Sequence, residues 1–109
     1  MGLRVRVCRV DEVPTGALRA FEVAGVAIPV LVTRIGAAIV ATSSVCPHED
    51  VSLEGGVLEG SVIECPGHAY CFDLLSGECQ HDDELRLRRY RVSIVNDEVF
   101  VDLLAEPPA

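Results

Sequence analysis

Apolar and polar residues alternate near the two ends of the chain and lose that order in its middle. Residues 4–10 read Arg-Val-Arg-Val-Cys-Arg-Val, close to the two-residue period of a half-buried strand, with a slip at Val7-Cys8. The slip puts Cys8 on the face of Val10, opposite Val5 and Val7. Residues 11–16 form a turn-rich connection. Residues 17–23 predict a second strand, and Ala24-Gly25 a tight turn joining it to a third at 26–35. That third run is β-branched and almost wholly apolar, which predicts burial. Gly36 separates it from a further strand at 37–41. Towards the end, residues 85–95 and 99–103 predict a hairpin turning at Asn96-Asp97. The last residues, 106–109, read as a loose tail.

The middle, residues 42–82, is rich in Gly, Cys, His and Pro. Short strands are expected at 61–64 and 69–73, with Leu74-Leu75-Ser76-Gly77 turning the second into a return strand. No segment of any length repeats with a helical period. The chain therefore predicts an antiparallel all-β body, with a loop-built insert between its central strand and its last hairpin.

The chain has 109 residues, half of them apolar, which is enough for one domain with a modest core. The longest apolar stretch, 23–32, is broken by Gly25 and Pro29 and is too short to cross a bilayer. Arg4 and Arg6 are followed by no apolar block, so no signal peptide is read, and Arg6 stands where an N-myristoylation motif needs Ser or Thr. A cytoplasmic protein with no membrane contact, and a monomer, is the expectation. The net charge of -8 argues against nucleic acid as a partner. It suits brief docking on a basic protein, because opposite charges speed encounter. Five cysteines, an odd number, argue against a disulfide scaffold.

Two of those cysteines stand in paired motifs, Cys46-Pro47-His48 and Cys65-Pro66-Gly67-His68. Each supplies one thiolate and one imidazole. A 2Fe–2S cluster in which two His replace two Cys on one iron needs that set. In an extended loop, residues two apart point the same way, so Cys46 and His48 can reach adjacent metals. With neutral imidazoles, two ferric ions, two sulfides and two thiolates sum to zero charge, which eases addition of an electron. His ligation accordingly lifts the potential to roughly -150 to +300 mV, against about -400 mV for plant-type ferredoxins. A tetrahedral zinc site accepts the same donors, although zinc usually takes its Cys as one close pair and its His as another. A Cys–His nucleophile would leave the duplication unexplained. Pro47 and Pro66 stiffen the loops, and Gly55-Gly56, Gly60 and Gly67 permit close backbone approach.

The two motifs resemble the Rieske fingerprint. Leu53…Gly55-Gly56 is similar to the stretch that follows the first ligand pair in that family, and His68-Ala69-Tyr70-Cys71-Phe72-Asp73…Ser76-Gly77-Glu78 to the stretch after the second. Tyr90-Arg91-Val92 and Glu98-Val99-Phe100-Val101 resemble its closing hairpin, and Val10 to Gly16 the opening of its ferredoxins. The resemblance implies an antiparallel β-sandwich, about 1–41 and 84–104, carrying a small cluster-binding subdomain of two loops, about 42–83. It implies one 2Fe–2S cluster per chain, with Cys46 and Cys65 on the inner iron and His48 and His68 on the outer. It implies an electron carrier, not an enzyme, working between a flavoprotein ferredoxin reductase and a terminal oxygenase or hydroxylase. The alternative is the Rieske-like small subunit of an assimilatory nitrite reductase, to which the stretch 76–83 has some likeness.

The chain departs from Rieske proteins of cytochrome bc complexes in three places. Val51 and Gly67 stand where those carry a disulfide between the loops, and Tyr70 where they place a Ser that bonds a bridging sulfide. Fewer hydrogen bonds to sulfur, and the acidic Glu49, Asp50 and Glu54 nearby, predict a potential at the low end of the range, about -150 mV. Cys71 and Cys79 face each other if 74–76 is the turn tip, either bridged or as two small buried thiols. His81, beside Asp82-Asp83-Glu84, reads as a solvated loop residue and not a further ligand.

Overall fold

The computed structural model describes residues 3–47, 51–67 and 70–107. Its nine strands are β1 (Arg4–Arg9), β2 (Leu18–Phe21), β3 (Val30–Ile35), β4 (Ala38–Ser43), β5 (Val57–Glu59), β6 (Val62–Glu64), β7 (Cys71–Asp73), β8 (Arg89–Val95) and β9 (Glu98–Asp102). Only two 3-10 turns, Val10–Glu12 and Leu53–Gly55, interrupt this pattern among the described residues. Every pair of adjacent strands is antiparallel.

Six strands form one curled sheet in the order β1-β9-β8-β4-β3-β2. Its halves meet over a short stretch, where Ala41 pairs with Tyr90 and Thr42 with Arg89 and the Ser43 N–H donates to the Arg88 carbonyl at 2.9 Å. Elsewhere β4 and β8 diverge, so the halves fold over a common core of Val7, Cys8, Val13, Val30, Val32, Ala41, Tyr90, Val99 and Val101. The slip in alternation at Val7-Cys8 is a bulge. Arg6 pairs with Phe100 and Cys8 with Val99, leaving Val7 as the extra residue, and both Val7 and Cys8 turn inward. Asn96 and Asp97 both take positive φ, as the tight turn requires.

Strand β3 explains its own apolar run. Val30 and Val32 face the first core, while Leu31 faces a second, built from Leu31, Cys46, Leu53, Ile63, Cys65, Phe72, Leu74, Cys79 and Leu87. A strand that walls two cores has no polar face to alternate. The third strand is nevertheless shorter than expected. Residues 26–29 are loop, because Pro29 lacks the N–H a ladder needs, and the expected hairpin turn at Ala24-Gly25 is a longer connection.

The middle of the chain forms a separate three-stranded sheet, β5-β6-β7. Leu58, Ile63, Phe72 and Cys79 line its inner face and the second core. The tail is tied down as far as Pro107, contrary to the loose tail expected. The Arg91 N–H donates to the Ala105 carbonyl at 3.0 Å, and Arg89 Nη2 to the Pro107 carbonyl at 3.2 Å. No helix among the described residues is long and apolar enough to cross a membrane.

Candidate metal centre

Both motif cysteines belong to the second core and are 2% and 1% exposed. The next residue in each motif, Pro47 and Pro66, is exposed. Each loop thus leaves the interior at its cysteine and reaches the surface one residue later. The loops share a closure as well. The Cys46 N–H donates to the Val51 carbonyl at 2.9 Å, and the Cys65 N–H to the Tyr70 carbonyl at 2.8 Å, at the same sequence spacing.

The supports beneath the loops also match. The first sits on a two-stranded stem where Val45 bridges Ser52 and the Leu53 N–H donates to the Ser44 carbonyl at 2.7 Å. The second caps the hairpin of β6 and β7, where Glu64 pairs with Cys71. Two hairpin loops of like size therefore present their cysteines into one apolar space. Val51 and Gly67 carry no thiol, and the backbone hydrogen bonds named above each close one loop on itself.

Gly55-Gly56 brings the first stem against the second. A Cβ on Gly56 would collide with the Glu64 carbonyl oxygen, and one on Gly55 would meet Pro66 Cγ at 3.9 Å. A shallow cavity of about 320 Å³ lies between these glycines and Cys65, Pro66 and Gly67. Glu54 fastens the assembly to the large sheet by accepting the Ala20 N–H at 2.8 Å. That contact assigns Glu54, expected as an acidic neighbour of the cluster, a structural task.

The donors fit a metal centre. A thiolate buried among Leu31, Leu53, Ile63 and Phe72 is costly unless a cation compensates it. Two such cysteines converging in one core answer to a group that both ligate. His48 and His68, with Glu49, Asp50 and Ala69, lie outside the described residues. Among the described residues no group of three or more His, Cys, Asp or Glu side chains is placed to hold a metal ion.

The remaining cysteines separate by environment. Cys8 is 1% exposed, and burial first, then the Glu12 carboxylate, pushes its thiol up to about 11. Cys71 and Cys79 do not face each other. Phe72 is bridged to Cys79, and the Gln80 N–H donates to the Cys71 carbonyl at 2.8 Å. Cys79 therefore shares the inner face with Phe72, whereas Cys71 sits with Gln80 and Glu64 on the outer, half-exposed face. That register is wrong for a disulfide across the hairpin, and only Cys79 is buried. Burial and the Glu64 carboxylate raise the Cys71 thiol above its ordinary value.

His81 is exposed as expected, yet its ring packs against Tyr70, with centroids 5.7 Å apart and planes inclined by 39°. Nothing in the spacing of the two residues signals that contact. The hairpin of β7 with its return segment creates it.

Residues 4–91 match the family model described as the Rieske [2Fe-2S] domain. The chain is 33% identical to the ferredoxin CarAc of Metapseudomonas resinovorans, covering 89% of this chain and 91% of that one. Among solved structures it is similar to a chain in the complex of reduced oxygenase and oxidized ferredoxin in carbazole 1,9a-dioxygenase. That chain has a TM-score of 0.82 and 32% identity, over 91% of this chain and 92% of the other. A small subunit assigned to an NADH-dependent nitrite reductase of Mycobacterium tuberculosis has a TM-score of 0.83 over 96% of this chain and 98% of the other. At 17% identity it shares the fold alone. With buried cysteines on twin loops, a match over most of its length, and relatives that are electron-carrying ferredoxin components, the chain belongs to the Rieske [2Fe-2S] domain family, whose cofactor is a single 2Fe–2S cluster.

Proposed function

We propose that the protein is a one-electron carrier that takes an electron from a flavoprotein reductase and delivers it to a terminal oxygenase or hydroxylase. The observation that carries this reading is the pair of matched loops, each beginning at a buried cysteine and emerging at an exposed proline. In this reading Cys46 and Cys65 hold the inner iron and His48 and His68 the outer. When bound, the cluster supplies a site that stores one electron. The chain keeps that site dry on one side and reachable on the other. Leu31, Leu53, Ile63 and Phe72 exclude water behind the cysteines. Pro47 and Pro66 restrict the loop backbone, which limits rearrangement between redox states.

Partners would dock at the loop tips, over a small transient interface of under about 1,200 Å² in total. The working place of such a carrier is the cytoplasm. The division into a base of about 1–41 and 84–104 and a cluster-binding part of about 42–83 belongs to the same reading. The nitrite-reductase alternative has a shared fold behind it and no residue-level support beyond 76–83, so the oxygenase shuttle is preferred. Rapid mixing of the holoprotein with an NADH-reduced flavin reductase, then with an oxygenase of the relatives' class, tests it. The visible absorption should bleach in the first step and return in the second. A chain that copurifies with a large reductase subunit and is not bleached by the flavoprotein would overturn the shuttle.

A further inference from the structure

One cavity lies away from the cluster loops and shares no residue with them. It is a half-open hollow of about 430 Å³ in the gap where β4 and β8 part beyond the pair Ala41–Tyr90. Ile39, Val40, Leu75 and Val92 give it apolar walls, and two guanidinium residues, Arg89 and Arg91, line it. No acidic residue lines it, in a chain with 17 acidic and 9 basic residues.

Arg89 is the unusual member. It is 5% exposed. Its Nη1 donates to the Leu75 carbonyl at 2.7 Å and its Nη2 to the Pro107 carbonyl at 3.2 Å. Its Nε, fully withdrawn from solvent, finds no acceptor among the described residues. Both ion pairs found among the described residues, Arg6 with Glu98 and Arg9 with Asp11, lie elsewhere. A buried cation held only by carbonyl dipoles keeps most of its desolvation cost, and a counter-anion seated beside it would offset that cost.

We infer that this cavity is a binding site for a small monocarboxylate with an apolar body, such as an aromatic or short aliphatic acid. The volume and the apolar walls with a few converging polar groups are those of a small-molecule site. Two guanidiniums supply charge-assisted hydrogen bonds to a carboxylate. The apolar lining disfavours a dianion such as phosphate, which would bring more charge than the walls can solvate. The inference does not depend on the electron-carrier reading, since the cavity and the loops have no residue in common.

The test is a titration of the oxidised, isotope-labelled holoprotein with sodium benzoate, and separately with benzamide, at neutral pH and constant ionic strength. It is followed by amide resonances of Leu75, Val40 and Val92 and by the Arg89 Nε–H. Benzoate should shift these signals saturably. Benzamide should bind roughly tenfold more weakly or worse, the loss expected when a charged hydrogen-bond partner becomes neutral. Because Arg89→Met removes a buried group and risks misfolding, two surface variants carry the test. Leu75→Trp, at an exposed position on the cavity wall, should abolish the saturable shifts, and Arg91→Gln should weaken benzoate several-fold, both with the visible spectrum unchanged. Shifts that rise linearly without saturation, equal binding of benzamide, or indifference to Leu75→Trp would each overturn the site.

Discussion

Gly77 shows how much a single residue decides here. It sits at φ +83°, and an added Cβ would lie 2.7 Å from the Leu87 carbonyl oxygen. Gly16 has nearly the same φ, +82°, with nothing within 4 Å of that position. Gly16→Ala should therefore cost the conformational strain alone, about 1–3 kcal/mol, while Gly77→Ala should cost distinctly more. Urea unfolding of the two variants measures the difference, and equal losses would mean that the close approach is unimportant. Cys8 makes a pH-dependent contribution. Its folded thiol is raised to about 11 from an ordinary 9.0, so the unfolded chain ionises first. Its contribution is complete below the unfolded value and is lost as pH climbs through the folded one. Stability should fall between these two values in the parent, and Cys8→Ala should flatten that decline. An identical decline in both proteins would remove Cys8 as its source.

Among the elements, β3 joins the two cores. Leu31→Ala should destabilise the protein by about 2–5 kcal/mol, the usual cost of an unfilled leucine site. It should also hasten loss of the visible colour on storage, since Leu31 packs in the core that contains Cys46 and Cys65. Unchanged colour retention alongside the stability loss would mean that cluster retention does not depend on the packing of the core that Leu31 shares with the two cysteines. The terminal strands were readable because each has one buried face, as β9 shows with Val99 and Val101 inward. Strand β5 escaped the reading because Val57–Glu59 is three residues between glycines, too short for a period to register. The tail was misread for a different reason. Pro-rich sequence signals looseness, but the Pro107 carbonyl is captured by Arg89, and the Leu103 and Ala105 carbonyls that lead into the tail by Arg88 and Arg91, a long-range effect no local pattern carries. At the centre, where His48 and His68 lie outside the described residues, the convergence of Cys46 and Cys65 was legible from type and spacing. The equivalence of the loops, closed by matching hydrogen bonds, and the Tyr70–His81 contact were not, because both arise from pairing of distant segments.

For the molecule as a whole, charge should govern encounters. With a net charge of -8, docking on a basic reductase should be faster at low ionic strength. Glu49→Lys and Asp50→Lys should slow reduction by the flavoprotein more at low salt than at high salt, and equal slowing at all salt concentrations would contradict steering. The central claim is that the thiolates of Cys46 and Cys65 and the imidazoles of His48 and His68 share one pair of irons. The most direct measurement is electron paramagnetic resonance of the anaerobically purified, dithionite-reduced protein. The account predicts a rhombic signal whose average g lies below the free-electron value, in parent protein containing acid-labile sulfide. A colourless, sulfide-free protein that gives no such signal, and binds zinc at the same cysteines, would contradict it.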